Sequence, residues 1–160
     1  QRRYGHAMKL RTIYTPQLVI DGEADLVGSR RSIVLQELDR RRAQRGDPGL
    51  AVTLNRDGAG FELLLDAEQG ADYAGAELFL VGSDDRHVTE VPRGENRGRT
   101  LEDFAVVRFY RSLGHWDGKA DTLRIPGSAV STPTDRLSVL VQAPGNGPIH
   151  GAGALDVRTA

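Results

Sequence analysis

Apolar residues change their spacing at Gly46-Asp47-Pro48-Gly49. Upstream, "RRSIVLQELDRRRAQR" (30–45) groups Ile33, Val34, Leu35 and Leu38 as one face of a helix, with Leu35 broadening that face beyond a clean stripe. Downstream, "LAVTLNR" (50–56) alternates Leu50, Val52 and Leu54, the period of a half-buried strand. Charge changes sign at the same place. Residues 1–45 hold ten Lys/Arg against five Asp/Glu, and residues 46–160 hold eleven against seventeen. Gly-Asp-Pro-Gly is also strong turn punctuation. Two domains are therefore expected, 1–46 and 47–160.

The second segment predicts seven or eight short antiparallel strands. "FELLL" (61–65) follows a "DGAG" turn. "AELFLVG" (76–82) and "RHVTEV" (86–91) are expected to form a hairpin about a Ser83-Asp84-Asp85 turn. "FAVVRFYRSLG" (104–114) predicts a long strand and "TLRI" (122–125) a short one. "LSVLVQ" (137–142) and "IHGAGALDV" (149–157) close the series across "APGNGP". Strands of this length and spacing predict a β-sandwich-like domain. His115-Trp116-Asp117-Gly118 is expected to end a strand in a turn, with an exposed Trp surface as the alternative.

In the first segment, Pro16 cannot sit inside a central strand, so the strand is expected to begin at Gln17. Asp21-Gly22 is a strong hairpin signal, and "EADLV" returns from it. Gly28-Ser29 then offers a cap for the helix, which Arg40, Arg41, Arg42 and Arg45 close with cations that suit its dipole. "QRRYGHAMKL" resembles the last turns of a helix, so the N-terminus is expected to be processed or truncated.

Several chemistries find no support. The chain has no cysteine, so it holds neither a disulfide nor a thiol nucleophile. Its net charge of −1 gives no general reason to expect nucleic acid. No apolar run approaches the ~20 residues of a membrane span. His6, His87, His115 and His150 lack the spacing of a zinc site. There is no Gly-x-Ser-x-Gly elbow and no phosphate loop. No cofactor is called for.

Strand, Thr-Pro, strand, Asp-Gly turn, strand, Gly-Ser and amphipathic helix, in that order, resemble the second half of a thioredoxin fold. "YTPQLVIDG" with "LVGS", "RGENRGRTLEDFAVVR" (93–108) and "LVQAPGNGPIHGAGAL" (140–155) narrow the resemblance to a secreted, thioredoxin-like bacterial family, domain of unknown function 1223. The resemblance implies an α+β chain: a partial thioredoxin-like fold (hairpin plus C-terminal helix), then an antiparallel β-sandwich-like domain. It implies a cis bond before Pro16, where the residues alone leave cis and trans open. It also implies that the backbone of Tyr14, Thr15 and Gln17, beside Pro16, pairs with an extended peptide or a protein thiol/disulfide partner. The resemblance further implies a Cys-containing N-terminal half, which this chain is expected to lack.

A second candidate is the loop "PRGENRGRTLED" (92–103), where Arg93, Arg97 and Arg99, with Glu95 and Asn96, would bind an anion or cover a thiol site. A plainer account pairs Glu95 or Glu102 with those arginines, worth ~0–1 kcal/mol at a surface. The expected function is that of a fragment of an exported, periplasmic or secreted protein. Intact, that protein would exchange thiols and disulfides or bind extended chains. The cysteine-free chain would itself be inactive, with no catalytic residue of its own. The competing expectation is a non-enzymatic envelope binding module. Half a sheet exposes an edge, so residues 1–46 are expected to aggregate or stay partly unfolded when the chain is expressed alone.

Overall fold

The computed structural model describes residues 1–44, 49–66, 70–119 and 121–158. The expected boundary at 46/47 falls on residues 45–48, outside the described set, as do Arg45 and Gly46. A short helix α1 (Arg2–Ala7) leads to β1 (Gln17–Ile20), β2 (Ala24–Val27) and helix α2 (Arg31–Gln44). There follow β3 (Val52–Asp57), β4 (Gly60–Leu65), β5 (Glu77–Glu90), β6 (Thr100–His115), β7 (Asp121–Ile125), β8 (Arg136–Gln142) and β9 (Ile149–Asp156). The chain is a mixed α and β protein, and all its strand pairings among the described residues are antiparallel.

Three sheets result: β1-β2, β3-β4-β7 and β6-β5-β8-β9. The two larger sheets share one core. Strand alternation sends Phe61, Leu63 and Leu65 of β4, Leu78 and Leu80 of β5, and Leu137, Val139 and Val141 of β8 into it. Truncating a buried leucine such as Leu63 would cost about 2–5 kcal/mol. Trp116 is buried in this core, with its indole N–H donating to Lys119 O at 2.6 Å. It is core, which removes the exposed-Trp alternative.

The two larger sheets meet along a seam. Leu50 N–H donates to His150 O at 3.2 Å. A Cβ on Gly151 or Gly153 of β9 would lie 2.4 Å from the carbonyl oxygen of Leu50 or Val52, so glycine there lets the backbones approach.

Two elements differ from expectation. Ser83-Asp84-Asp85 is no turn: β5 runs through it, because the tertiary fold supplies partners for its charges. The Asp84 carboxylate takes Arg108 at 2.5 Å and His87 at 3.2 Å, and Asp85 N–H donates to the Asp135 carboxylate at 2.9 Å. Helix α2 forms over the expected span, yet none of its residues is buried, and Ile33 and Leu35 are exposed. Three consecutive apolar residues spread around a helix, so they make no stripe to bury.

Candidate functional site

The hairpin turn at Asp21 and Gly22 has positive φ at both residues, 54° and 73°, the geometry of a type I′ turn. It sets the register Gln17↔Val27, Val19↔Asp25 and Ile20↔Ala24. Gly28 N–H donates to Pro16 O at 2.8 Å. Residues 16, 18 and 20 therefore turn their backbone groups towards β2, and antiparallel alternation turns those of Thr15, Gln17 and Val19 to the other edge. No strand among the described residues pairs with that edge. Beside it lies a cleft of ≈ 490 Å³ lined by Gln1, Tyr4, Thr15, Pro16, Gln17 and Val19. The Thr15–Pro16 bond is cis.

Of the residues singled out in the sequence, Thr15, Pro16 and Gln17 line this cleft. Tyr14 does not. Its carbonyl oxygen accepts from the Gln1 side chain at 2.6 Å. Its hydroxyl donates to Asp25 Oδ2 at 2.8 Å, while Gln17 Nε2 donates to Asp25 Oδ1 at 2.5 Å. Burial first, then the Asp25 carboxylate, holds the Tyr14 phenol above its ordinary ionisation range. Asp25, Gln1, Tyr4 and Val19 are site residues that sequence reasoning missed. Only Asp25 and Val19 had a local signal, since they stand opposite one another once the Asp21-Gly22 turn fixes the register.

Helix α2 is joined to the hairpin by charge. Arg41 Nη1 lies 2.7 Å from Glu23 Oε2 and 3.6 Å from Asp21 Oδ2, and its Nε lies 2.9 Å from Glu37 Oε1. The guanidinium groups of Arg40 and Arg41 lower the Glu37 carboxyl to about 2. On β6, burial and the neighbouring Tyr4 and Glu77 push the Tyr110 phenol up to about 12.

The second candidate group sits elsewhere. Thr100–Asp103 belong to β6, so the loop is a hairpin tip at 91–99, not 92–103. Strand β5 pairs with β8 only as far as Ser83, and Asp84–Glu90 pair with β6 alone. That leaves an arm of roughly 23 Å at 3.3 Å per residue. Arg93, Glu95, Asn96, Arg97 and Arg99 are all exposed at its tip, where Arg99 Nη1 donates to Asn96 Oδ1 at 3.3 Å. Glu102 pairs with Arg86 of the arm, not with a tip arginine. No tip residue lines the Thr15–Pro16 cleft. Among the described residues, no three His, Asp or Glu side chains are placed to hold a metal ion, and no helix is long and apolar enough to cross a membrane.

The profile of the family described as "Protein of unknown function (DUF1223)" matches residues 1–142. The chain belongs to that family. Among curated proteins, none matches the chain. A crystal structure of an Agrobacterium tumefaciens protein from a structural genomics consortium is 21% identical. It superposes with a TM-score of 0.80 over 97% of this chain and 67% of its own. At that identity the likeness is one of fold. The family match ends at Gln142, so it takes in the whole cleft and the hairpin arm and stops short of β9.

Proposed function

We propose that this member of the DUF1223 family binds an extended polypeptide along the free edge of β1, as the thioredoxin-like part of an exported protein. One observation carries the reading: Thr15, Gln17 and Val19 turn their backbone groups to an edge without a strand partner, and the same three residues line the cleft beside it. An extended chain added there would take main-chain hydrogen bonds from β1, and its alternate side chains would enter the cleft. Thiol–disulfide exchange is the chemistry such a cleft would serve in a longer form that carries cysteines. The 160 residues contain none, so this chain contributes binding and no thiol nucleophile. A periplasmic or secreted location goes with the family resemblance.

The test uses reduced, carboxymethylated lactalbumin, a permanently unfolded protein, as the probe for extended chains. Titrated into the isotope-labelled chain, it is expected to shift the amides of Thr15, Gln17 and Val19. Val19→Lys should abolish that response while leaving the unfolding midpoint in place. Shifts confined to the hairpin arm would favour the competing reading, a non-enzymatic envelope binding module. What favours that alternative is the arm itself, with Phe104 70% exposed and three arginines at the tip.

A further inference from the structure

A second groove crosses the Arg136 end of β8, opposite the Gln142 end where α1 is attached. It consists of two contiguous hollows, ≈ 380 Å³ and ≈ 510 Å³, which share Pro133, Thr134 and Val157. The inner hollow mixes apolar side chains, Phe61, Val130, Leu137 and Val157, with polar surface from Arg56, Thr134 and the backbone of residues 58–60. The outer hollow is charged and is bordered by Asp84, Arg86, Asp135 and Arg158.

The charged groups of the outer hollow already have partners within the chain. Asp84 holds Arg108 and His87, Arg86 holds Glu102, Arg158 holds Asp156 and Asp85, and Asp135 takes the Asp85 amide. Arg56 differs. Its Nη2 donates to Val157 O at 2.9 Å, and its guanidinium carbon lies 6.0 Å from the Phe61 ring centroid. Among the described residues it has no carboxylate partner. The inner hollow therefore has an oriented guanidinium at its lip with N–H donors to spare. Much of the entropy of ordering that side chain is already spent, which favours capture of a planar anion.

The geometry points to this groove as a binding site for the C-terminus of a partner polypeptide. The terminal carboxylate lies against Arg56, and an apolar last side chain packs in the hollow against the partly exposed Val130 and Val157. The preceding residues run past Pro133 and Thr134 into the outer hollow. A polypeptide fits better than a small apolar acid because the groove continues beyond the inner hollow into a larger region bordered by both signs of charge. The inference is independent of the β1-edge reading and stands or falls without it.

The experiment measures fluorescence anisotropy of dye-labelled hexapeptides ending in Leu or Phe, each as the free acid and as the C-terminal amide, with the 160-residue chain. The free acids are expected to bind, and amidation to weaken binding roughly tenfold or more, as loss of a charge-assisted contact does. Arg56→Ala should weaken the free acids by a similar factor and leave the amides unchanged, whereas Arg42→Ala on α2 should change neither. The unfolding midpoint of each variant separates a binding effect from a folding one. Equal binding of acid and amide, no effect of Arg56→Ala, or no binding up to about 1 mM peptide would overturn the assignment. Displacement by octanoate as effective as displacement by unlabelled peptide would also overturn it, making the groove a site for small acids.

Discussion

The amide of Ile149 donates to the carbonyl oxygen of Asp21 at 2.7 Å, tying the β1–β2 turn to the first residue of β9. The turn that sets the register of the candidate cleft thus rests on the main sheet. Gly22 completes the contact: a Cβ there would lie 2.4 Å from Gly147 O.

Gly22→Ala should therefore cost about 2–4 kcal/mol, from the left-handed φ of 73° together with the overlap. Gly58→Ala is the control, because Gly58 also has a positive φ but nothing within 4 Å of its added Cβ. It should cost no more than about 1–2 kcal/mol. Urea unfolding of the two variants reads the difference, and equal losses would remove the turn's packing role.

Gln142 makes the second tie between the segments. It is fully buried, and its Nε2 donates to Tyr4 Oη at 2.9 Å and to Gly147 O at 2.8 Å, while its Oε1 has no partner. Gln142→Leu leaves the Gly147 carbonyl without that donor and should cost about 1–3 kcal/mol. Tyr4→Phe removes one acceptor only and should cost about 0.5–1.5 kcal/mol. Denaturant midpoints in the reverse order would contradict this ranking.

His150 and Glu37 each make stability depend on pH below neutrality. Burial lowers the His150 pKa from its ordinary 6.5, so its contribution is complete above that value and is lost as pH falls through it towards the lowered one. Glu37 is lowered from 4.5 to about 2, so its contribution is present above 4.5 and disappears between 4.5 and about 2. The second loss should appear in α2 alone, where Glu37 holds the Arg41 that attaches the helix to the hairpin. Amide spectra of residues 31–44 recorded from pH 5 to pH 2 follow it, and Glu37→Gln should abolish it.

Asp25→Asn removes a carboxylate that opposes ionisation of Tyr14. The Tyr14 phenol should then ionise at lower pH, though still above its ordinary range because burial is the larger cause. Ultraviolet difference titration against a Tyr14→Phe background isolates that residue. An unmoved titration would mean that Tyr14 and Asp25 are not hydrogen-bonded in solution.

Local chemistry made the hairpin legible, since Asp21-Gly22 admits few turns and Pro16 marks where β1 begins. The alternation of Leu50, Val52 and Leu54 likewise announced β3, and Leu50 and Leu54 are buried in the core. Strand β5 was harder. A Ser-Asp-Asp run signals a turn until partners 24 to 73 residues away, Arg108, Arg136 and Arg158 among them, are brought to it by the fold. The cleft was half legible for a related reason. Thr15, Pro16 and Gln17 are adjacent in the chain, whereas Gln1 and Tyr4 reach them only through the placement of α1. The arm hid itself most fully, because the pairing of Thr100–Asp103 with β5 has no local signature beyond β-prone Thr100 and Leu101.

The seam between β3 and β9 bears on how this chain can vary over evolution. With the carbonyl oxygens of Leu50 and Val52 occupying the space of two absent side chains, positions 151 and 153 cannot drift one at a time. A homologue bearing even alanine at both would need its third strand displaced outward, and Leu54, which that strand sends inward, would need a larger replacement to refill the gap. Substitutions at 151, 153 and 54 are therefore expected to appear together across descendants of a common ancestor, as one inherited unit.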